Sequence, residues 1–208
     1  PLATRSNNNT DIHYHNLYWK VDPAVHYIRG MVESRFTFRG PDRDTVYFEL
    51  AGNLRVDSIL YESQPVPYIH KQDELKIPVP AAHDAKNRAS VKVYYQGRPD
   101  TTKRAFSTDV HDNTPVLWTL SEPYGAREWW PCKQTLNDKV DSVDIYVEVP
   151  MPYKAASNGL LIDTTASQTG TIYHWQHKHP ITAYLIGIAV SNYQTYEETV
   201  ALTGGREV

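Results

Sequence analysis

Residues 142–149 read Ser-Val-Asp-Ile-Tyr-Val-Glu-Val, and apolar and polar side chains alternate strictly along this stretch. Successive side chains of a β-strand point to opposite faces, so the alternation predicts a strand with one buried and one wet face. The buried face would carry Val143, Ile145, Val147 and Val149. The wet face would carry Ser142, Asp144, Tyr146 and Glu148.

The same two-residue period continues on both sides of this strand. Two predicted inward faces near the N-terminus carry Leu17, Trp19 and Val21 in one strand and Val32, Ser34, Phe36 and Phe38 in the next. Further strands are predicted at 45–50, 54–61, 65–70 and 91–95. Residues 184–190 are apolar on both faces, which predicts a strand covered on both sides.

Strand signals dominate the chain, and no convincing amphipathic helix interrupts them. Short strands bounded by glycine, asparagine, aspartate and 14 prolines are typical of all-β domains. We therefore expect an all-β fold with antiparallel and mixed sheets in a saddle-like or sandwich arrangement. One or two short helical turns at most would accompany the sheets.

The 208 residues suit one generous domain. We expect a frayed segment at 1–10, a single β domain at 11–197, and the start of a linker at 198–208. The chain begins with proline rather than methionine, and its last residues form no capping element. These ends indicate a piece of a longer protein.

Composition excludes several classes of function. With a net charge of −3, the chain lacks the excess of positive charge that is typical of proteins that bind nucleic acid or an anionic membrane. No apolar run approaches the roughly 20 residues of a membrane span. Cys132 is the only cysteine, which excludes an internal disulfide. Neutral charge, sparse cysteine and the missing start favour a secreted or periplasmic location.

Residues 117–132, LWTLSEPYGAREWWPC, place a short polar insert between two tryptophan-containing apolar runs. Glu122 precedes a proline, which restricts the backbone around this carboxylate. A helical turn is predicted at 123–128, because proline is well tolerated at the first helical position. Glu122 would then cap the turn or pair with Arg127, and spacing alone favours these structural roles over a binding role.

Other candidate sites are weaker. His13 and His15 would share a strand face, and His174, His177 and His179 form a second group, but no His-Glu-x-x-His run occurs. Cys132 has no histidine close in sequence, which favours a small buried side chain over a nucleophile. The tryptophans could form a sugar-stacking platform, although their strand positions favour core packing.

The run E-P-Y-G-A-R-E-W-W-P-C resembles the Gln/Glu-x-x-x-Ala-Arg-x-x-x-Pro-Cys segment of the aminopeptidase N-like zinc metallopeptidases, the gluzincin aminopeptidases. Residues 18–36 are similar to the opening strand pair of that family. Residues 149–160 resemble its "VP…SNG" strand and turn, and residues 182–194 resemble the last strand of its N-terminal domain. The likeness covers about 11–195, with the segments in the family's order.

The resemblance implies an N-terminal β domain that packs over a thermolysin-like catalytic domain. It implies that Glu122 binds the α-amine of a peptide substrate, with Arg127 and Tyr124 in supporting roles. Catalytic residues, the zinc ligands and the glutamate base would belong to the following domain, so this fragment would bind no metal and would be inactive alone. The complete enzyme would remove N-terminal residues from peptides.

Two departures from the family pattern stand out. The family's Pro-Cys-Phe-Asp-Glu-Pro is replaced by Pro-Cys-Lys-Gln-Thr-Leu at 131–136, and its Thr-Gln is replaced at Thr119-Leu120. An alternative function is a noncatalytic β-sandwich module that binds a glycan or a protein partner through exposed aromatic side chains.

Overall fold

The computed structural model describes residues 9–39, 43–80, 88–196 and 198–199. Within these residues the chain forms fifteen β-strands and two short 3-10 helices. The strands are β1 Thr10–Asp22, β2 Val25–Phe38, β3 Thr45–Glu49, β4 Leu54–Tyr61, β5 Gln64–Pro65, β6 Ile69–Lys71, β7 Glu74–Pro78, β8 Ala89–Gly97, β9 Phe106–His111, β10 Thr114–Thr119, β11 Ser142–Val149, β12 Lys154–Ser157, β13 Leu160–Ala166, β14 Thr171–His177 and β15 Ile188–Ser191. The 3-10 helices are Ala126–Glu128 and Ala183–Leu185.

The all-β class is confirmed, with two helical turns. Residues 1–8 and 200–208 lie outside the described residues, so the frayed N-terminal segment and the linker remain predictions. No helix in the described part of the chain is long and apolar enough to cross a membrane.

The strands form three sheets. The largest has eight strands in the order β13-β14-β11-β1-β2-β8-β4-β5. It is mixed, because β1 and β11 run parallel whereas its other neighbouring strands are antiparallel. A four-stranded sheet has the order β12-β15-β10-β9, and a three-stranded sheet has the order β3-β7-β6.

Most predicted faces are confirmed by burial. The predicted inward residues of β1, β2 and β11 are all buried, and so are the alternating residues Val91, Val93 and Tyr95 of the predicted strand that became β8. They are Leu17, Trp19, Val21, Val32, Ser34, Phe36, Phe38, Val91, Val93, Tyr95, Val143, Ile145, Val147 and Val149. On the predicted wet face of β11, Glu148 is the exception, because it too is buried.

Two local predictions are wrong. Residues 184–190 do not form one covered strand: a 3-10 helix occupies Ala183–Leu185, strand β15 begins only at Ile188, and Leu185 is exposed. The predicted strand at 65–70 is divided between β5 and β6, which belong to different sheets. The strand at 184–190 was predicted from apolar composition alone. Composition does not distinguish a strand from a turn that packs one side chain inward.

The core joins all three sheets. Its buried cluster includes Trp19 from the eight-stranded sheet, Phe48 from the three-stranded sheet and Leu117 from the four-stranded sheet. Trp129 lies among them, with its ring centroid 4.6 Å from that of Trp19 and 6.4 Å from that of Phe106. The segment that follows β10 therefore runs through the junction of the sheets.

Candidate functional site: the turn after strand β10

The turn that carries Glu122 is fixed by backbone hydrogen bonds. Beyond the end of β10, the Leu120 N–H donates to the carbonyl of Ala105 at 3.0 Å. The Gly125 N–H then donates to the carbonyl of Ser121 at 2.7 Å and closes the turn. The peptide bond between Glu122 and Pro123 is cis.

Side chains of the interior anchor both ends of this turn. Trp129 is fully buried, and its indole Nε1–H donates to Oγ of buried Ser121 at 2.9 Å. Ala126, which begins the 3-10 helix, is also buried. Ser121 and Ala126 are both buried in the core, so the ends of the turn are fixed. The residues between them extend toward the surface.

Glu122 lies on the exposed part of the turn. Within the described ranges its carboxylate has no hydrogen bond and no ion pair, and the residue at the N-cap of the 3-10 helix is Gly125, without a side-chain cap. The predicted capping role is therefore wrong. The predicted pairing with Arg127 is also wrong, because the guanidinium of Arg127 pairs with Glu49 and Glu128. Glu122 presents its charge to solvent.

Arg127 points toward the three-stranded sheet. Its Nη1 lies 3.5 Å from Oε2 of buried Glu49, and its Nε lies 3.3 Å from Oε1 of Glu128. Its carbonyl accepts the Ala51 N–H at 2.8 Å. Arg127 thus holds the 3-10 helix against the end of β3, on the buried side of the segment.

Residues that sequence reasoning missed complete this junction. Gln134 donates from Nε2 to Oε2 of Glu49 at 2.7 Å, and its Oε1 accepts the Arg127 N–H at 3.2 Å. Lys133 is buried and paired with Asp138. Both residues stand where the chain departs from the family's Pro-Cys-Phe-Asp-Glu-Pro. The departure from the family pattern was the one sign in the sequence that these two positions are unusual. It did not indicate which residues they contact.

Cys132 forms an isolated bridge with Glu49 through two backbone hydrogen bonds of 2.8 and 3.0 Å. Its side chain is fully buried, and burial raises the pKa of the thiol well above its usual value. A thiol in this environment stays protonated at neutral pH and is a poor nucleophile. The structure agrees with a packing role.

Exposed aromatic and aliphatic side chains accompany Glu122. Trp118 and Tyr124 are 38% and 37% exposed, and Leu120 is 63% exposed. Trp118 also lines a groove of about 480 Å³ together with Val110 and Tyr193. Trp19, Trp129 and Trp130 are fully buried, so most of the tryptophans pack in the core rather than on a stacking platform.

The predicted shared face of His13 and His15 is wrong, whereas in the other histidine group the rings of His177 and His179 do lie together, with centroids 5.8 Å apart. A bulge between Ile12 and Tyr14 places His13 outside the regular alternation, so it does not share a face with His15. His15 is buried against Ser34, and this burial lowers its pKa to about 4. Among the residues that the structure describes, no group of three or more His, Cys, Asp or Glu side chains could hold a metal ion.

A known protein family matches most of the chain. The family model of the peptidase M1 N-terminal domain matches residues 12–185. The chain belongs to this family. The matched region includes all of the junction around Arg127 and the exposed turn with Glu122. The suspected relationship to the aminopeptidase N-like zinc metallopeptidases is thereby confirmed.

Several individual proteins are similar to this M1 N-terminal domain. Leucine aminopeptidase 2 from Candida glabrata is 27% identical over 156 residues, which cover 71% of this chain and 22% of that protein. A substrate-bound M1 zinc metallopeptidase from Deinococcus radiodurans has a TM-score of 0.81 at 20% identity, covering 98% of this chain and 47% of that one. Leukotriene A4 hydrolase from Saccharomyces cerevisiae has a TM-score of 0.74 at 18% identity, covering 90% and 30%. The chain therefore spans less than half the length of each.

Proposed function

We propose that this M1 N-terminal domain is part of a zinc aminopeptidase that removes N-terminal residues from peptides, and that Glu122 binds the substrate α-amine. The exposed Glu122 carboxylate, on a turn anchored from below, is the observation that carries the proposal. The catalytic domain of the same enzyme would pack against the surface that carries Glu122, and the peptide would bind between the two domains.

The charge of the substrate supports this role for Glu122. A free α-amine has a pKa of roughly 7.7–8.0, so most peptide N-termini are cationic at neutral pH. A carboxylate without an internal partner can pair with that cation, whereas Glu49 and Glu128 already face Arg127. Fixing the amine would also fix its distance from the scissile bond, which favours cleavage after the first residue.

The zinc ion would be held by the catalytic domain and not by this one. The residues described here do not fit a zinc site, because they include no suitable group of three His, Cys, Asp or Glu side chains. The contribution proposed for this chain is accordingly limited to binding and orienting the peptide.

The test is Glu122→Gln in the complete enzyme. The substitution preserves size and removes the charge, and loss of one partner of a desolvated charge pair costs about 2–5 kcal/mol. We expect kcat/KM for aminoacyl-anilides to fall roughly tenfold or more, whichever amino acid is first.

A matched control is Asp112→Asn, which removes an exposed carboxylate from the turn between β9 and β10. Its side chain is 93% exposed, and asparagine tolerates the local positive φ of 46°. Its kinetics should equal those of the unmodified enzyme. Near-normal kinetics for Glu122→Gln would exclude the proposed role.

A further inference from the structure

A groove on the outer face of the eight-stranded sheet places two cations side by side. Lys20 of β1 and Arg29 of β2 are directly opposite each other in the antiparallel pair, and both line this groove of about 410 Å³. The residues next to them, Trp19 and Gly30, are buried, so the two cations point to the outer face. Like charges directly opposite each other in a sheet are destabilising. The pair is therefore unfavourable unless negative groups lie close to both cations.

Lys20 has such a group within the chain. Its Nζ lies 3.1 Å from Oε1 of Glu148, a carboxylate with only 8% of its side chain exposed. Glu148 also accepts hydrogen bonds from Ser167 and Thr169 on Oε1 and from Tyr18 on Oε2. These donors occupy both oxygens of Glu148, so its charge is used inside this network and holds Lys20 in place.

Arg29 lacks a comparable partner. In the described part of the chain its guanidinium makes no ion pair, and its Nη2 donates to the neutral Oε1 of Gln96 at 3.2 Å. The Tyr27 hydroxyl donates to the same oxygen at 2.8 Å. Gln96 therefore orients Arg29 without neutralising its charge. A guanidinium can bind a carboxylate through two parallel N–H donors, so the exposed Arg29 is suited to an additional anion.

The wall beside the two cations is apolar. Val25 and Pro150 line the groove, and 47% of Val25 is exposed. Contact with an apolar chain would remove this surface from water. The volume of the groove lies within the range of small-molecule sites, roughly 300–1,000 Å³. A ligand with one charged end and one apolar end would use both parts of the groove.

The carboxylates of the groove limit the charge of such a ligand. Glu148 balances Lys20, and Asp22 also lines the groove, where its Oδ1 accepts the Ala24 N–H at 2.9 Å. Asp22 would repel a doubly charged phosphate about twice as strongly as a singly charged carboxylate at the same distance. The balance of charges therefore favours a monoanion.

We propose that this groove binds a small organic monocarboxylate with an apolar chain. The carboxylate pairs with Arg29 and lies near the ammonium group of Lys20, and the apolar chain covers Val25. The bound anion offsets the repulsion between the two opposite cations. The proposal does not depend on the role of Glu122 in binding a substrate amine.

Isothermal titration calorimetry of the complete enzyme with octanoate, butanoate, octanamide and inorganic phosphate tests the proposal. We expect octanoate to bind roughly tenfold or more tightly than butanoate, because its longer chain buries more apolar surface. Octanamide retains the chain without the charge and should bind about tenfold more weakly than octanoate. Inorganic phosphate should also bind more weakly than octanoate.

Variants of β2 locate the binding site. Arg29→Gln removes the unpaired charge and should weaken octanoate binding by about tenfold. The matched control is Arg35→Gln, which changes a half-exposed arginine on the same face of the same strand, about 20 Å from Arg29. It should leave octanoate binding unchanged. Val25→Ser removes part of the apolar wall and should weaken octanoate binding by about threefold or more, with a smaller effect on butanoate.

Three results would overturn the proposal. They are the absence of octanoate binding at millimolar concentration, tighter binding of phosphate than of octanoate, and equal octanoate binding by Arg29→Gln and the unmodified enzyme, which would place the ligand elsewhere. Arg29→Gln removes a like-charge repulsion, so without ligand it should melt no lower than the unmodified enzyme. If it melts lower, Val25→Ser decides, and an unchanged octanoate affinity in that variant would reject the site.

Discussion

Gly30 is a buried residue at which the core is tightly packed. It lies in β2 between Trp19 of β1 and Tyr95 of β8. The ring of Tyr95 crosses over it, so that the Tyr95 hydroxyl accepts the Trp19 Nε1–H at 3.0 Å and donates to the Trp129 carbonyl at 2.8 Å. The absence of a side chain at Gly30 thus allows a hydrogen-bonded link from β1 to the segment that bears Glu122.

The substitution Gly30→Ala should destabilise the domain. A Cβ atom at Gly30 would lie 2.5 Å from one ring carbon of Tyr95, closer than any normal contact, and Tyr95 is fixed by two hydrogen bonds. Overpacking of this kind costs about 1–3 kcal/mol in the free energy of unfolding. Chemical denaturation of the chain measures the change.

Gly52→Ala is the matched control for that experiment. Its nearest contact would be the Asp73 Oδ1 at 3.6 Å, an ordinary van der Waals distance. Equal stabilities for the two alanine variants would show that Tyr95 moves aside without cost.

Single residues also mark how far sequence reasoning reached. Alternation was enough to place Trp19 in the core, and the proline after Glu122 marked that carboxylate as one on a restricted backbone, although spacing alone favoured a structural role for it. Alternation could not pair Glu49 with Gln134 or Arg127, because Glu49 lies 85 residues from Gln134 in sequence and is similarly far from Arg127. Local pattern contains no information on such distant side-chain partners.

At the scale of elements, one end of the polar face of β11 is covered by the connection between β13 and β14. Glu148 has only 8% of its side chain exposed, because residues between β13 and β14 close over it. Ser167 donates to Oε1 at 2.8 Å and Lys20 lies 3.1 Å from the same oxygen, and Thr169 and Tyr18 also donate to the carboxylate. Burial raises the pKa of Glu148, but these four donors together outweigh it and lower the pKa to about 2.

This network should make stability depend on pH in the acid range. A carboxylate whose pKa is lower in the folded than in the unfolded chain stabilises above its unfolded pKa, here 4.5, and loses that contribution as pH falls toward about 2. The destabilisation caused by Glu148→Gln should therefore be about 2 kcal/mol smaller at pH 3 than at pH 7. Urea denaturation of both proteins at the two pH values tests this, and an equal penalty at both would contradict it.

Elements with one face in the core were the ones that sequence predicted well. In β1, β2, β8 and β11 one face is buried, and this burial requires apolar and polar residues to alternate in the sequence. The alternation therefore predicts which side chains face the core. The bulge at His13 and the 3-10 helix at Ala183–Leu185 have no such cause in the local pattern. Partition of the strands into three sheets likewise depends on contacts between distant segments.

For the whole molecule, the decisive feature is that one core serves all three sheets. Trp129 contacts Trp19 of the eight-stranded sheet and Phe106 of the four-stranded sheet, and Arg127 holds the same segment to Glu49 of the three-stranded sheet. The exposed turn with Glu122 is therefore supported from every sheet. Its position depends on the integrity of the complete domain rather than on one strand.

A shared core should make unfolding a single cooperative event. We expect the midpoints of urea denaturation measured by tryptophan fluorescence and by far-UV circular dichroism to coincide. Trp129→Phe should lower both midpoints together, because it removes the Nε1–H bond to Ser121 and part of the contact with Trp19. Trp118→Phe changes an exposed residue of the four-stranded sheet and should leave both midpoints nearly unchanged. The opposite result would be loss of the Trp118 fluorescence signal at a lower urea concentration than loss of the circular dichroism signal of the strands. The four-stranded sheet would then unfold as an independent unit, and the turn with Glu122 would be ordered by that sheet alone.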